Sequence, residues 1–232
     1  MSISRLMQMG AAGAGGEAPP EVIGQEYGGG FYAGNIVEGG VEYYLVVAPK
    51  SSGETVKQFK TSADGAPTAT RTLNNGPAAS ASMNSATYPA AQFCEALSIN
   101  GFTDWYLPSR DELELFYRNL KPHTDSNATN NREKSAYTYP EGNDIASDTW
   151  GVNRNSSPTG PAYTSGSPSQ TSAVVFKAGG SEALVFANGT FYWSSSEFSA
   201  SASWSQTFQY GGQFGTTKTA SYYVRAVRRV PV

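Results

Sequence analysis

The chain has 232 residues, of which 15% are charged and 12% aromatic, with 14 tyrosines and a formal net charge of −3. So many aromatics with so few charges exclude an intrinsically disordered chain, and the acidic balance leaves no cationic excess for nucleic acid. The length allows a full core, and the abundance of Gly, Ser, Thr and Asn suits a loop-rich β protein with a neutral polar surface.

Residues 1–26 read as an N-terminal anchor and linker. Ile3, Leu6 and Met7 stand at helical spacing, and a Gly/Ala-rich run and Pro19-Pro20 follow them. Residues 1–20 then either dock on a partner subunit or form a frayed terminus. The run from Gly10 to Gly16 is too poor in apolar residues for a signal peptide. No stretch approaches the roughly 18–20 apolar residues that cross a bilayer, so membrane insertion is not expected.

Residues 27–232 are expected to form one domain, opening with a β-hairpin region at about 27–65. Phe31 to Val37 and Val41 to Ala48 are apolar runs joined by Glu38-Gly39-Gly40, and Pro49 stops the second. Ala86 to Ser98 predicts a helix, with Ala90, Phe93, Cys94 and Leu97 on one face and Asn100-Gly101 as its stop. Cys94, the lone cysteine, reads as a small buried hydrophobe. Ser109 and Glu112 predict a capping box, Leu113, Phe116, Tyr117 and Leu120 make the stripe behind it, and Pro122 ends the helix.

A polar stretch rich in Asn, Ser, Thr, Gly and Tyr runs over 123–172, a length that marks a functional or disordered connection. Beyond it, 173–176 and 183–186 are short apolar runs read as β, and Asn188-Gly189 is a tight-turn dipeptide. A strand is expected from Phe191 toward Glu197. Trp204, Gln206, Phe208 and Tyr210 alternate onto one face, and a last strand spans 222–230. One cysteine and one histidine (Cys94 and His123) exclude an intrachain disulfide and a His/Cys metal site, and no cofactor is expected. Asp144 and Asp148 leave an oxygen-ligand calcium site open beside ordinary turn chemistry.

Two strings carry a resemblance. The first is Gly101-Phe102-Thr103-Asp104-Trp105-Tyr106-Leu107-Pro108-Ser109-Arg110-Asp111-Glu112-Leu113. The second is Tyr192-Trp193-Ser194-Ser195-Ser196-Glu197 with Trp204, Phe208 and Gly211, closed by Tyr223-Val224-Arg225-Ala226-Val227-Arg228. Together they resemble the lectin-like C-terminal domain family of collagen-like bacterial adhesins and phage tail-fibre proteins. The resemblance covers roughly residues 85–230, and Tyr106 departs from the Arg usual there. It implies an α+β, C-type-lectin-like fold: two helices packed on small twisted antiparallel sheets, with long irregular loops presenting the binding surface. It also implies a homotrimer on a virion tail or fibre, attached to a tail or baseplate protein through residues 1–20. The calcium-dependent lectin tripeptides are absent.

Trp105, Leu107, Trp193, Trp204 and Phe208 are expected in the core, Asp104 at a turn, and Glu197 paired with Arg225. Ligand contacts are expected from Trp150, Asn153, Arg154 and Tyr163 in the long loop, and from Gln209, Tyr210, Gln213 and Phe214 near the late hairpin. Rigid aromatics and adaptable amides are what a paratope or a carbohydrate site uses. The favoured function is a receptor-binding protein for a host cell-surface glycan or protein. The alternatives are a structural virion decoration or baseplate protein and a glycan-modifying enzyme, although no nucleophile, base and orienter stand in motif order.

Overall fold

The structure, a computed structural model, describes residues 18–130, 132–141 and 149–232. The expected anchor over residues 1–17 and the calcium candidates Asp144 and Asp148 lie outside the described residues.

The first sheet uses β1 (Glu26–Tyr27), β2 (Gly30–Glu38) and β3 (Val41–Val47). A short helix, α1 (Lys50–Gly53), leads to β4 (Glu54–Gln58), and α2 (Gly76–Ala81), α3 (Pro89–Glu95) and α4 (Arg110–Leu120) follow. After the long loop with its two-residue β5 (Ser156–Ser157) come β6 (Tyr192–Glu197), β7 (Ala202–Gln206), β8 (Gln213–Thr217), β9 (Ser221–Arg225) and β10 (Val227–Pro231). The molecule is therefore α+β, with two sheets. One runs β1-β2-β3-β10 with β5 against β2, the other β4-β9-β6-β7-β8. All pairings are antiparallel except β6 with β9.

Beside the excursion through β5, the chain passes between the sheets at β3 to β4 and at β9 to β10. Both passages lie side by side. Ala48 donates its N–H to the Ala226 carbonyl at 2.9 Å, and Ala226 donates to Gly53 at 2.9 Å. The end of β3, Leu45 to Val47, is apolar throughout because both its faces are covered there. Leu45 and Val47 enter one core with Leu113, Phe116 and Leu120 of α4. Val46 and Ala48 enter another with Ala90 and Cys94 of α3, Trp105, Leu107 and Trp193. A third small cluster holds Leu73, Tyr139 and Trp204. The five residues expected in the core (Trp105, Leu107, Trp193, Trp204 and Phe208) are all buried, and each aromatic of that size stabilises by roughly 1.5–3 kcal/mol.

The capping box is present: Ser109 Oγ accepts from the Glu112 N–H at 3.4 Å, and Glu112 Oε2 accepts from the Ser109 N–H at 2.7 Å. α4 can lie close on β2 because Gly34, at φ +119°, makes a bulge there. A Cβ at Gly34 would stand 2.5 Å from Asn119 Nδ2, whose N–H instead bonds the Ala33 carbonyl at 2.7 Å.

Several expectations are corrected. The helix read over 86–98 is shorter, because Pro89 fits the first turn and the chain has left helix by Leu97. The runs 173–176 and 183–186 are not strands. Val174–Phe176 is a 3₁₀ turn, and the backbone of this segment bonds locally, as Glu182 N–H does to Val175. Phe176 and Leu184 serve as plugs for the α4 core instead. The last strand is two strands in different sheets, broken at Ala226. Asp104 is not a turn device: it holds Arg228 through two bonds, at 2.7 and 2.9 Å.

Glu197 and Arg225 are both buried but do not pair with each other. Glu197 accepts from Lys218 Nζ and from the Ala66 N–H at 2.8 Å. Arg225 donates to Glu182 at 2.6 Å, to Glu54 at 3.1 Å and to the Ala48 carbonyl at 2.6 Å. Removing one partner of such a pair leaves the other charge stranded in a dry site. Arg225→Met is expected to cost about 3–5 kcal/mol, measured as a lower urea midpoint at unchanged slope. A loss below about 1 kcal/mol would show that the passage between the sheets does not depend on this arginine.

Candidate functional site

The loop after α4 is laid against a helix face that carries charge into the interior. Arg110, Asp111, Glu112 and Glu114 are all buried. Asn153 Nδ2 donates to Glu114 at 2.7 Å and to the Asp111 carbonyl at 2.8 Å, and Tyr163 Oη donates to the second Glu114 oxygen at 2.9 Å. Burial, and next the Glu114 charge, push the Tyr163 phenol well above its ordinary value, so it remains a donor. Gly151, at φ +91°, brings the chain so near Tyr163 that a Cβ would stand 2.2 Å from its ring. Gln213 Nε2 reaches back to the Arg110 carbonyl at 3.0 Å.

This geometry places part of the expected site in the interior. Trp150, Asn153, Tyr163 and Gln213 are buried, with Asn153 fully so, and Asn153, Tyr163 and Gln213 bond to α4. Their amides and hydroxyl satisfy buried carboxylates and carbonyls. Arg154 is exposed on the turn beside them, and Gln209, Tyr210 and Phe214 are half-buried.

Tyr210 and Phe214 do come together, over Trp150. Its ring centroid lies 6.0 Å from Tyr210 and 5.2 Å from Phe214. Phe191 stands 6.0 Å from Phe214, and Tyr222 stands 5.1 Å from Phe191. The result is a band of aromatic rings, Tyr210, Phe214, Phe191 and Tyr222, with Trp150 as its buried floor. Sequence reasoning missed Phe191 and Tyr222. The period-2 pattern carried the signal: Phe191 shares the sheet face of Trp193, and Tyr222 packs on Trp193 at 5.3 Å.

Elsewhere an open depression of about 510 Å³ is lined in part by Glu38, Arg71, Thr72, Asn75 and Glu141. It offers hydrogen-bonding groups but no aromatic face. Cys94 is fully buried, and burial pushes its thiol well up, which suits a packing role. Among the described residues no cluster of His, Cys, Asp and Glu could hold a metal ion.

The two signature strings meet in space. Ser195 donates to the Pro108 carbonyl at 2.7 Å, Arg110 donates to Ser196 Oγ at 3.0 Å, and Tyr106 bridges to Val227. A family model described as Lcl C-terminal domain matches residues 58–228, a stretch that contains both strings and the aromatic band. No curated protein and no solved structure matches the chain.

If Tyr163 acts as internal support, Tyr163→Phe removes a donor from buried Glu114. The expected loss is about 1–3 kcal/mol in chemical unfolding, with no new exposed surface. A neutral substitution would return Tyr163 to the ligand contacts.

Proposed function

The chain belongs to the Lcl C-terminal domain family, and we propose that it is a non-enzymatic, C-type-lectin-like receptor binder on a virion tail fibre, gripping a host-surface glycan. The observation that carries this proposal is the aromatic band over Trp150, in a protein whose outer loops are dense in Ser, Thr, Asn and Gly. Ring faces take the apolar side of a sugar, and small polar groups with Gln209 at the margin take its hydroxyls. Rings held by packing on strands and on the segments that join them lose little conformational freedom on binding, so little of the contact energy is offset. Attachment through residues 1–20 to a tail or baseplate protein, and assembly as a homotrimer, belong to the same proposal through the resemblance to fibre proteins.

One observation favours a second reading, a structural virion or baseplate component. Trp150, Asn153, Tyr163 and Gln213 are spent on internal packing, which leaves a smaller displayed surface than the loop length suggests. The two readings differ in what the band touches: a free glycan in one, a neighbouring subunit in the other.

Binding to host cells or to arrayed surface glycans separates them. Tyr210→Ala and Phe214→Ala are each expected to weaken binding at least about tenfold, the scale of losing one well-packed aromatic contact. Glu141→Gln in the open depression should leave binding within about twofold. Full binding by both aromatic variants, with cooperative unfolding retained, would remove the band from the proposal.

A further inference from the structure

Among the described residues, the buried side-chain N–H groups that have no acceptor belong to Arg110, Arg118, Arg132 and Trp150. Those four residues converge on one turn. Arg118 Nη2 and Arg132 Nη2 donate to successive carbonyls, of Gly151 and Val152, directly after Trp150. Arg110 stands at the other side of the same turn. It pairs with Asp111 at 2.9 Å, and the second Asp111 oxygen accepts from Asn155 Nδ2 at 2.7 Å.

Among the described residues the charges do not balance. Arg110 is matched by Asp111, and Arg118 by Glu114 at 2.9 Å. Arg132 is 4% exposed, and among the described residues it makes no ion pair. Its Nε and Nη1 are both without an acceptor, as is Nη1 of Arg110. Burial first, and the Arg110 charge second, push the Arg132 pKa down to about 10 despite the pull of Asp111 and Glu114. The side chain therefore stays cationic near neutral pH, deep in the protein, with two of its donor positions idle. A trapped water would satisfy an N–H but would leave the surplus charge unmatched.

We propose that Arg132 and Arg110 form a binding site for one small monovalent anion of the halide class, accepted by Nε and Nη1 of Arg132 and Nη1 of Arg110. The anion completes the charge balance of the α4 face and ties the 150–155 turn to the helix. Trp150, the floor of the aromatic band, begins that turn, so anion occupancy stiffens the band from beneath. The inference is independent of what the band binds.

The test uses the full chain at constant ionic strength. The unfolding temperature in 150 mM sodium chloride should exceed that in 150 mM sodium gluconate by about 2–6 °C, the shift that site occupancy gives a domain of this size. Arg132→Met should abolish the difference. Crystals soaked in sodium bromide should show an anomalous peak in contact with Arg132 and Arg110, which decides the matter even if Arg132→Met does not fold. Equal unfolding temperatures in the two salts, a difference that survives Arg132→Met, or no bromide peak at these arginines would overturn the proposal.

Discussion

The segment from Arg225 to Arg229 holds this molecule together, because it is the one strand-like stretch that belongs to both sheets. Each of its three arginines is anchored to a different part of the chain. Arg225 takes Glu54 and Glu182, Arg228 takes Asp104, and Arg229 takes Glu112 at 2.7 Å and Glu38 at 2.6 Å. Burial alone would lower the Arg229 pKa, but Glu112, Tyr106 and Glu38 together outweigh it and the net shift is upward. Pairs of this kind gain little net stability over well-packed apolar groups, since both ions must first leave water. Their effect is positional. A one-residue slip of β10 against β3 would carry Arg228 and Arg229 away from their acids, so these pairs fix the register.

The same segment explains how the chain accommodates Tyr106 where the family pattern has Arg. Glu112 already accepts from Arg229, from its own cap and from the Tyr106 hydroxyl. The cation comes from β10, and the phenol supplies a further donor without adding a second charge. Burial pushes that phenol well up, so it remains protonated as the site requires. The departure from pattern therefore leaves the acid satisfied.

What the sequence made legible was local. The α4 boundaries followed from Ser109, Glu112 and Pro122, and the first hairpin from Glu38-Gly39-Gly40, because cap and turn chemistry act over three or four residues. What it hid was set by partners far along the chain. The helical pattern of α4 put its charged side toward water, yet that side is covered by the long loop, which brings Asn153 and Tyr163 to Glu114. Nothing in the spacing of Trp150, Asn153 or Tyr163 separates a ligand contact from a support, since the residue types that grip a sugar also satisfy a buried carboxylate. The apolar runs at 173–176 and 183–186 mimicked strands because a few apolar residues fit a plug as well as a ladder.

These features set the character of the surface. Charges that would ordinarily solvate a protein of this size, Glu197 and Lys218 among them, are drawn into the interior and consumed there. The outside keeps scattered charges of both signs, Lys57, Asp64, Glu133 and Lys134 among them, between hydroxyls, amides, glycine turns and partly exposed rings. A surface of mixed sign has weak long-range steering. On the proposed reading its selectivity comes from contact: from ring faces held at fixed spacing and from amides whose orientation the framework dictates. On that reading a rigid frame is a requirement for binding. Tyr210 and Phe214 can act as a template only because Trp150 beneath them is fixed, and Trp150 is fixed because the charged face of α4 holds the turn that carries it.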